Sequence, residues 1–407
     1  MTDRPLAGLR IVELNSFVAG PSATMALAQL GADVIRIDPA GGGPDIDRWP
    51  LGPNGTSLYW NSLNKGKRSI TLDLRSDAGQ TTAQDLITAP GQKAGIFIDN
   101  SVGRGWLDYG TLAARRPDLI HLRIQGHPDG RPAVDYTVNA EIGLPALTGP
   151  RDHTGPVNHV LPAWDLLAGM TAATGLLAAV HRRTATGRGA YIRLALSDVA
   201  EAAVANLGWL AEEDLRPGTR TRDGNYLYGS FGTAFATHDD RQVMVIALTR
   251  GQWNALQRAT GLEKTFAALE TALDADFSDD SQRYEHRETL TAILRPWFAA
   301  RDLAEVRETL TAQRVLFSAY SSMSELVTKY RAEPGHTVLA DVDQPGVGTM
   351  LSARSPLRWN NDYYPAAPAP ALGQHTADLI QSSNTTTPRA ADGGPSAASS
   401  APGTTHG

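Results

Sequence analysis

The sequence predicts an α/β protein: a large domain built on a doubly wound parallel sheet, followed by a smaller α+β domain. Three observations carry that expectation. Short β-branched apolar runs alternate with helical stretches between residues 9 and 124. A compositional break rich in Arg, Gly, Pro and Thr follows residue 215. Beyond it lie a strand pair and several amphipathic helices. Strands that alternate with helices run parallel, because each crossover helix covers a face of the sheet.

Residues 9–14 (LRIVEL) form the first strand, followed by a loop at 15–21. A helix is expected at 22–30, with Ser22 as its N-cap and Gly31 closing it before a second strand at 33–38 (DVIRID). Strands at 69–74, 94–98 and 119–124 continue the pattern, with helices at 77–88 and 111–116 between them. Residues 162–182 are apolar nearly all round, which predicts a buried helix. Gly169 and Gly175 interrupt it, and no apolar run is expected to reach the ~20 residues of a membrane span. A strand at 190–195 and a helix at 198–212 complete the large domain, 1–215.

Residues 216–224 read as a linker and 225–333 as the small domain, with strands at 233–237 and 242–248. The segment 334–381 carries no long periodic element. Residues 382–407 are Ser, Thr, Pro, Gly and Ala in low-complexity order, too polar to offset their ordering entropy, and a disordered tail is expected.

The 407 residues include 37 Lys+Arg, 43 Asp+Glu and no Cys. Disulfides, Cys-ligated metals and thiol nucleophiles are thereby excluded. A net charge of −6 argues against a general nucleic-acid partner. The N-terminus lacks the apolar stretch of a secretory signal, so a cytoplasmic protein without a membrane partner is expected. Ten histidines show no metal-ligand spacing, and neither a G-x-S-x-G elbow nor a phosphate-binding G-x-x-x-x-G-K-[ST] loop occurs. The opening strand–loop–helix–strand unit, with Asp38 after it, invites a dinucleotide site. Its loop has Gly20 alone, however, with Phe17 and Val18 where pyrophosphate needs glycine. An NAD-linked dehydrogenase is the distant alternative.

Two features bear on chemistry. Basic residues cluster at Arg36, Arg48, Lys65, Lys67, Arg68, Arg75 and Arg104, either as a solvated surface or as a site for a ligand with several phosphates. Asp165 opens the apolar helix after Pro162-Ala163-Trp164. Helix capping is the simpler reading of such a residue. The same position would also keep a carboxylate ionised and nucleophilic, with nearby N–H groups to stabilise an oxyanion.

Several stretches together carry a resemblance: PLAGLRIVEL, LAQLGADVIRID, NKGKRSITLDL, RPAVDYTVNAEIGLPALTG, LPAWDLLAGMTAATGLLAAVHRR, TGRGAYIRLALSD and APALGQHTADLI. From residue 6 to about 378 the chain resembles the class III CoA-transferase family, which includes formyl-CoA transferases and α-methylacyl-CoA racemases. The resemblance implies a Rossmann-like large domain to which the segment 334–381 returns, an interlocked homodimer and an acyl-CoA substrate. It implies no separate cofactor or metal, because CoA is part of the substrate. It places the family's catalytic aspartate on Asp165 and the adenine nucleotide of CoA along Arg36, Lys65, Lys67, Arg68 and Arg104.

The His that precedes the matching acid in racemases is Val134 here, ahead of Asp135, which counts against α-proton exchange. Residues 226–232 (YLYGSFG) lack the glycine run of formyl-CoA transferases. The stretches DPAGGGPDIDRWP, LYWNSLNKGKRS, VNHVLPAWD and GNYLYGSFG are similar to a branch that moves CoA between the two carboxyl groups of 2-methylfumarate. In relatives that step belongs to glyoxylate assimilation in a 3-hydroxypropionate cycle. Transfer between two separate acids is the alternative, and a non-catalytic CoA-binding module a third. Retaining the freed acid calls for a closed pocket, expected from Phe17, Trp49, Tyr59, Trp60 and Tyr228, with Arg48 on the idle carboxylate. Core packing is the simpler reading of any one of these aromatics.

Overall fold

The computed structural model describes residues 4–101, 104–218, 220–333 and 337–384. Strands β1 (Arg10–Leu14), β2 (Asp33–Pro39), β3 (Arg68–Leu72), β4 (Ile96–Asp99), β5 (Ile120–Gln125) and β6 (Ala190–Ala195) form one sheet. Its order is β3-β2-β1-β4-β5-β6 and all its pairs are parallel, as the alternating pattern predicts. The helices of the large domain are α1 (Ala19–Gln29), α2 (Leu58–Leu63), α3 (Asp77–Ile87), α4 (Tyr109–Arg115), α5 (Asp135–Glu141), α6 (Leu144–Leu147), α7 (Ala163–Thr186), α8 (Leu196–Asn206) and α9 (Trp209–Leu215). Successive strand residues point to opposite faces. Ile11, Val34, Ile98 and Leu122 therefore meet Leu27 of α1, Leu176 of α7 and Ala200 of α8 on one side. Val12, Ile35, Ile70 and Phe97 meet Leu86 of α3 and Leu112 of α4 on the other.

Helix α1 begins at Ala19, three residues before the expected cap. Ser22 lies inside it and donates its hydroxyl to the Ala19 carbonyl at 3.0 Å. The helix expected at 198–212 is two helices, α8 and α9, separated at Gly208, whose φ of +78° the first cannot continue through. By length and composition α7 is sufficient to cross a membrane, which corrects the expectation that no run is. In the fold Ala168, Ala172 and Leu176 of α7 are core residues. Gly169 is where α7 crosses α1: a Cβ there would lie 2.1 Å from Ser22 Oγ and 2.9 Å from the Ala19 carbonyl oxygen.

The small domain holds an antiparallel sheet, β7 (Phe231–Ala236), β8 (Gln242–Ala247) and β9 (Leu316–Ala319), in that order. Around it lie α10 (Arg250–Thr260), α11 (Glu263–Leu273), α12 (Asp280–Glu285), α13 (Arg287–Ala299) and α14 (Leu303–Ala312), closing on Phe231, Trp253, Phe266 and Phe298. The third strand, four residues after a run of helices, carries too little pattern to stand out in the sequence. After α15 (Met323–Ala332) comes a hairpin, β10 (Leu339–Gln344) and β11 (Gly348–Ala353), in the segment expected to carry no long periodic element. Helix α16 (Thr376–Asn384) then returns to the edge strand: His375 N–H donates to the Ser69 carbonyl at 2.9 Å, and Thr71 N–H to Thr376 Oγ1 at 3.0 Å. The helix runs two residues past the expected start of the tail, and the rest of that tail lies outside the described residues.

The loop between α6 and α7 is stitched to the segment that leads into the small domain. Arg222 donates to the carbonyls of His153 and Gly155, each at 2.6 Å, and to that of Pro145 at 3.1 Å. Arg151 reaches across to Asp223 and to Glu288 of α13.

Candidate active site

The strand order reverses at β1 and β4, and ligands of open α/β sheets bind beyond the carboxyl ends of such a pair. Here the two loops are laced together. Asn15 Nδ2 donates to the Ile98 carbonyl at 3.1 Å, Ser16 N–H to Asn100 Oδ1 at 3.3 Å, and Asn100 Nδ2 back to the Ser16 carbonyl at 3.1 Å. Gly20 is required by this lacing, since a Cβ there would sit 2.2 Å from Asn15 Cγ. Phe17 follows in the left-handed region, φ +68°, and its N–H donates to Asp45 Oδ2 at 3.1 Å. Bulk stands where a pyrophosphate would need glycine.

The close crossing at Gly169 sets the first turn of α7 beside this loop, and Asp165 is the third residue of that helix. Asp165 does not cap it. The buried Asp135, first residue of α5, accepts the N–H groups of Trp164 and Asp165 on Oδ2, at 2.8 and 3.1 Å. These two N–H groups of the helix end, where donors for an oxyanion are expected, are thereby occupied. One turn along α5, Asn139 Oδ1 accepts Trp164 Nε1 at 3.1 Å and pairs with the His159 ring at 2.8 Å.

Burial, then the charge of Asp135, push the Asp165 carboxyl up to about 7, with Arg48 pulling the other way. This reverses the expectation that the helix end holds Asp165 firmly ionised. Desolvation and a neighbouring carboxylate outweigh a dipole already satisfied by that carboxylate. Both forms of Asp165 are therefore present near neutrality.

Arg48 lies with its guanidinium carbon 5.5 Å from the Phe17 ring centre and 5.2 Å from that of Tyr59, a cation between two aromatic rings. Among the described residues no carboxylate forms an ion pair with it. The Tyr59 hydroxyl is pushed up to about 12, by burial first, and feels both Arg48 and Asp165. Asp165, Asp135, Arg48, Tyr59 and Phe17 thus make one neighbourhood.

Most of the expected phosphate ligands are used internally. Arg36 is fully buried: it pairs with Asp38 at 2.8 Å and Asp45 at 3.1 Å, and donates to Asn64 Oδ1 at 3.2 Å. Lys67 is likewise enclosed, donating to Glu13 Oε1 at 2.8 Å and to the Pro21 carbonyl and Asn64 Oδ1 at 2.9 Å; burial lowers its pKa to about 8. Lys65 donates to the Ala353 carbonyl of β11 at 2.9 Å and is lowered to about 8, also by burial. Arg68 forks onto Asp33, and only Arg104 of the five is exposed. Lys67 serves the core, because the strand after it enters a sheet in which β1 brings Glu13.

The closed aromatic pocket also needs correction. Trp49 is 77% exposed, whereas Trp60 is buried beneath the Arg36 guanidinium. Tyr228 bonds Glu212 and carries Arg220 3.6 Å above its ring, among residues of α9 and the domain junction. Sequence reasoning named Asp135 without a role beside Asp165, and it missed Asp45. The acid opening α5 is visible in the sequence, but spacing says nothing of its contact with α7. Among the described residues no group of three or more His, Asp or Glu side chains is arranged to hold a metal ion.

The profile of CoA-transferase family III matches residues 6–376. The chain belongs to that family. It is 47% identical over 378 residues to a 2-methylfumaryl-CoA isomerase of Chloroflexus aurantiacus, covering 92% of each chain. It is 30% identical to a succinyl-CoA:mesaconate CoA-transferase of Haloarcula hispanica, over 92% of this chain and 95% of that one. The crystal structure of a CaiB/BaiF family protein from Brucella suis superposes with a TM-score of 0.74 at 26% identity, covering 93% and 99% of the two chains. This member of CoA-transferase family III is an enzyme with an acyl-CoA as its substrate class.

Proposed function

We propose that the enzyme moves CoA between the two carboxyl groups of 2-methylfumarate, converting 2-methylfumaryl-CoA into 3-methylfumaryl-CoA. The observation that carries the reading is Arg48, held between two aromatic rings beside Asp165 without a carboxylate of its own. It supplies what a one-acid transfer needs beyond a nucleophile: a cation for the carboxylate that is not reacting. The 47% identity to the Chloroflexus isomerase supports the same substrate.

Ionised Asp165 attacks the thioester carbonyl; the C–S bond breaks, leaving a mixed anhydride and CoA thiolate. The thiolate attacks the Asp165 carbonyl, which forms an aspartyl-CoA thioester and frees mesaconate. The acid turns, its other carboxylate attacks the aspartyl thioester, and thiolate leaves again. Attack of that thiolate on the substrate-side carbonyl of the new anhydride yields the product and restores the Asp165 carboxylate. Thioester energy is carried throughout, so the sequence of steps needs no ATP, metal or redox partner. Exposed Arg104 is the first choice for a CoA phosphate.

We place the enzyme in the cytoplasm as a homodimer. Leu167 and Met170 of α7, Leu210 of α9, and Val160 and Leu161 ahead of α7 are exposed apolar side chains that a second copy would cover. The test is to supply 2-methylfumaryl-CoA with isotopically labelled free mesaconate and analyse the CoA esters by mass. Unlabelled 3-methylfumaryl-CoA is expected; heavy labelling would favour transfer between separate acids, the activity in the name of the Haloarcula relative. Hydroxylamine trapping during turnover is expected to mark Asp165, and an active Asp165→Ala enzyme would sink the covalent route.

A further inference from the structure

Arg48 sits on an exposed loop, yet the loop and the Phe17 turn beneath it share one buried anchor. Asp45 Oδ2 accepts the Phe17 N–H at 3.1 Å, and the Asp45 carbonyl accepts the Arg48 N–H at 3.3 Å. Asp45 is 1% exposed, and both its carboxylate oxygens face Arg36 Nη2, at 3.1 and 3.2 Å. Arg36 in turn is fixed by Asp38 and Asn64, and by Trp60 5.5 Å from its guanidinium carbon. One residue therefore ties down both: its carboxylate holds the strained backbone of Phe17, and its carbonyl, fixed in place by the carboxylate's bonds to Arg36, holds the turn that delivers Arg48. A bulky residue keeps a positive φ only where its surroundings overdetermine it.

We infer that Asp45 is a positioning residue: through Phe17 and Arg48 it sets how well the freed acid is retained between the two halves of the reaction. The inference rests on the transfer mechanism proposed above. The Asp45 carboxylate bonds Arg36 and the Phe17 N–H rather than Asp165; it acts by keeping the guanidinium between its two rings, where a carboxylate meets it in one geometry. Losing the charged partner leaves Arg36 with Asp38, Asn64 and, at 3.9 Å, Glu13, and frees the Phe17 turn to relax.

The experiment measures, for wild type, Asp45→Asn, Arg48→Ala and the double variant, the fraction of product carrying label from free mesaconate, together with kcat and KM. Asp45→Asn is expected to raise the labelled fraction about tenfold, the scale of losing one charge-assisted hydrogen bond. In the Arg48→Ala background the same change is expected to add nothing, because both act through one guanidinium. A drop in kcat with the labelled fraction unmoved, or equal increments in both backgrounds, would overturn the inference while leaving the transfer mechanism intact. A wild-type enzyme that fails to isomerise 2-methylfumaryl-CoA overturns both. Should Asp45→Asn not fold by circular dichroism, Asp45→Glu keeps the charge but displaces it by a methylene; it is expected to leak above wild type, and unchanged retention would refute the role.

Discussion

Replacing Asp135 by Asn tests how the nucleophile is tuned. Moving a carboxyl from 3.8 to about 7 corresponds to ~4 kcal/mol against its ionised form. Burial is the largest cause, the Asp135 charge the second, and Arg48 opposes both. Removing the Asp135 charge is expected to lower the carboxyl's pKa by on the order of one pH unit, ~1.4 kcal/mol. Asn keeps an acceptor for the N–H groups of Trp164 and Asp165, so the helix cap is largely retained. In the proposed mechanism the ionised form of Asp165 attacks, so the pH profile of kcat/KM is expected to rise through about 7 in wild type. In Asp135→Asn that midpoint should fall by about one unit. The assay is the initial isomerisation rate across pH 5 to 9, with circular dichroism to check folding. A midpoint at or above that of wild type would refute the charge coupling.

Lys67→Met is expected to lose about 3 kcal/mol of stability, since Glu13 remains buried without its ammonium partner, while the KM for acyl-CoA barely changes; urea unfolding and steady-state kinetics separate this from a phosphate-binding role. Gly169→Ala should destabilise by roughly 1–3 kcal/mol because its Cβ meets α1, whereas Gly175→Ala, with its nearest atom at 3.5 Å, should be neutral or stabilising by up to about 1 kcal/mol; denaturant midpoints compare the two. Asp165→Asn removes a carboxyl whose folded pKa lies above its unfolded one. Stability from the protonated acid is full below 3.8 and is lost as pH rises through 7. The Asn variant should therefore gain on wild type across that window, by up to ~4 kcal/mol at pH 8, read as a widening gap in thermal midpoints.

The large domain was legible because its strands are short β-branched runs between helices, and because a strand such as β1 must bury Ile11 and Val12 on opposite faces. Strands β9, β10 and β11 were not, since their stability comes from partners distant in the chain and their own residues are half exposed. Asp165 stood out by its place ahead of an apolar helix. The fate of Lys67 and Arg36 did not: an identical basic run serves phosphate or core according to whether neighbouring strands deliver carboxylates, and Glu13, Asp38 and Asp45 come from three separate segments. Asp165's acidity was misjudged for the same reason. A helix dipole is a local property, but the cap that satisfies it arrives from α5.

That cap joins two helices whose connecting loop is fastened by Arg151 and Arg222 to the entrance of the small domain. The proton affinity of Asp165 is thus expected to respond over a distance: loosening Arg222 should change how α5 and α7 meet without altering Asp135 or Asp165, read as a shifted pH midpoint in Arg222→Ala. Anyone seeking a variant with a different working pH can leave the catalytic centre untouched and adjust the seam.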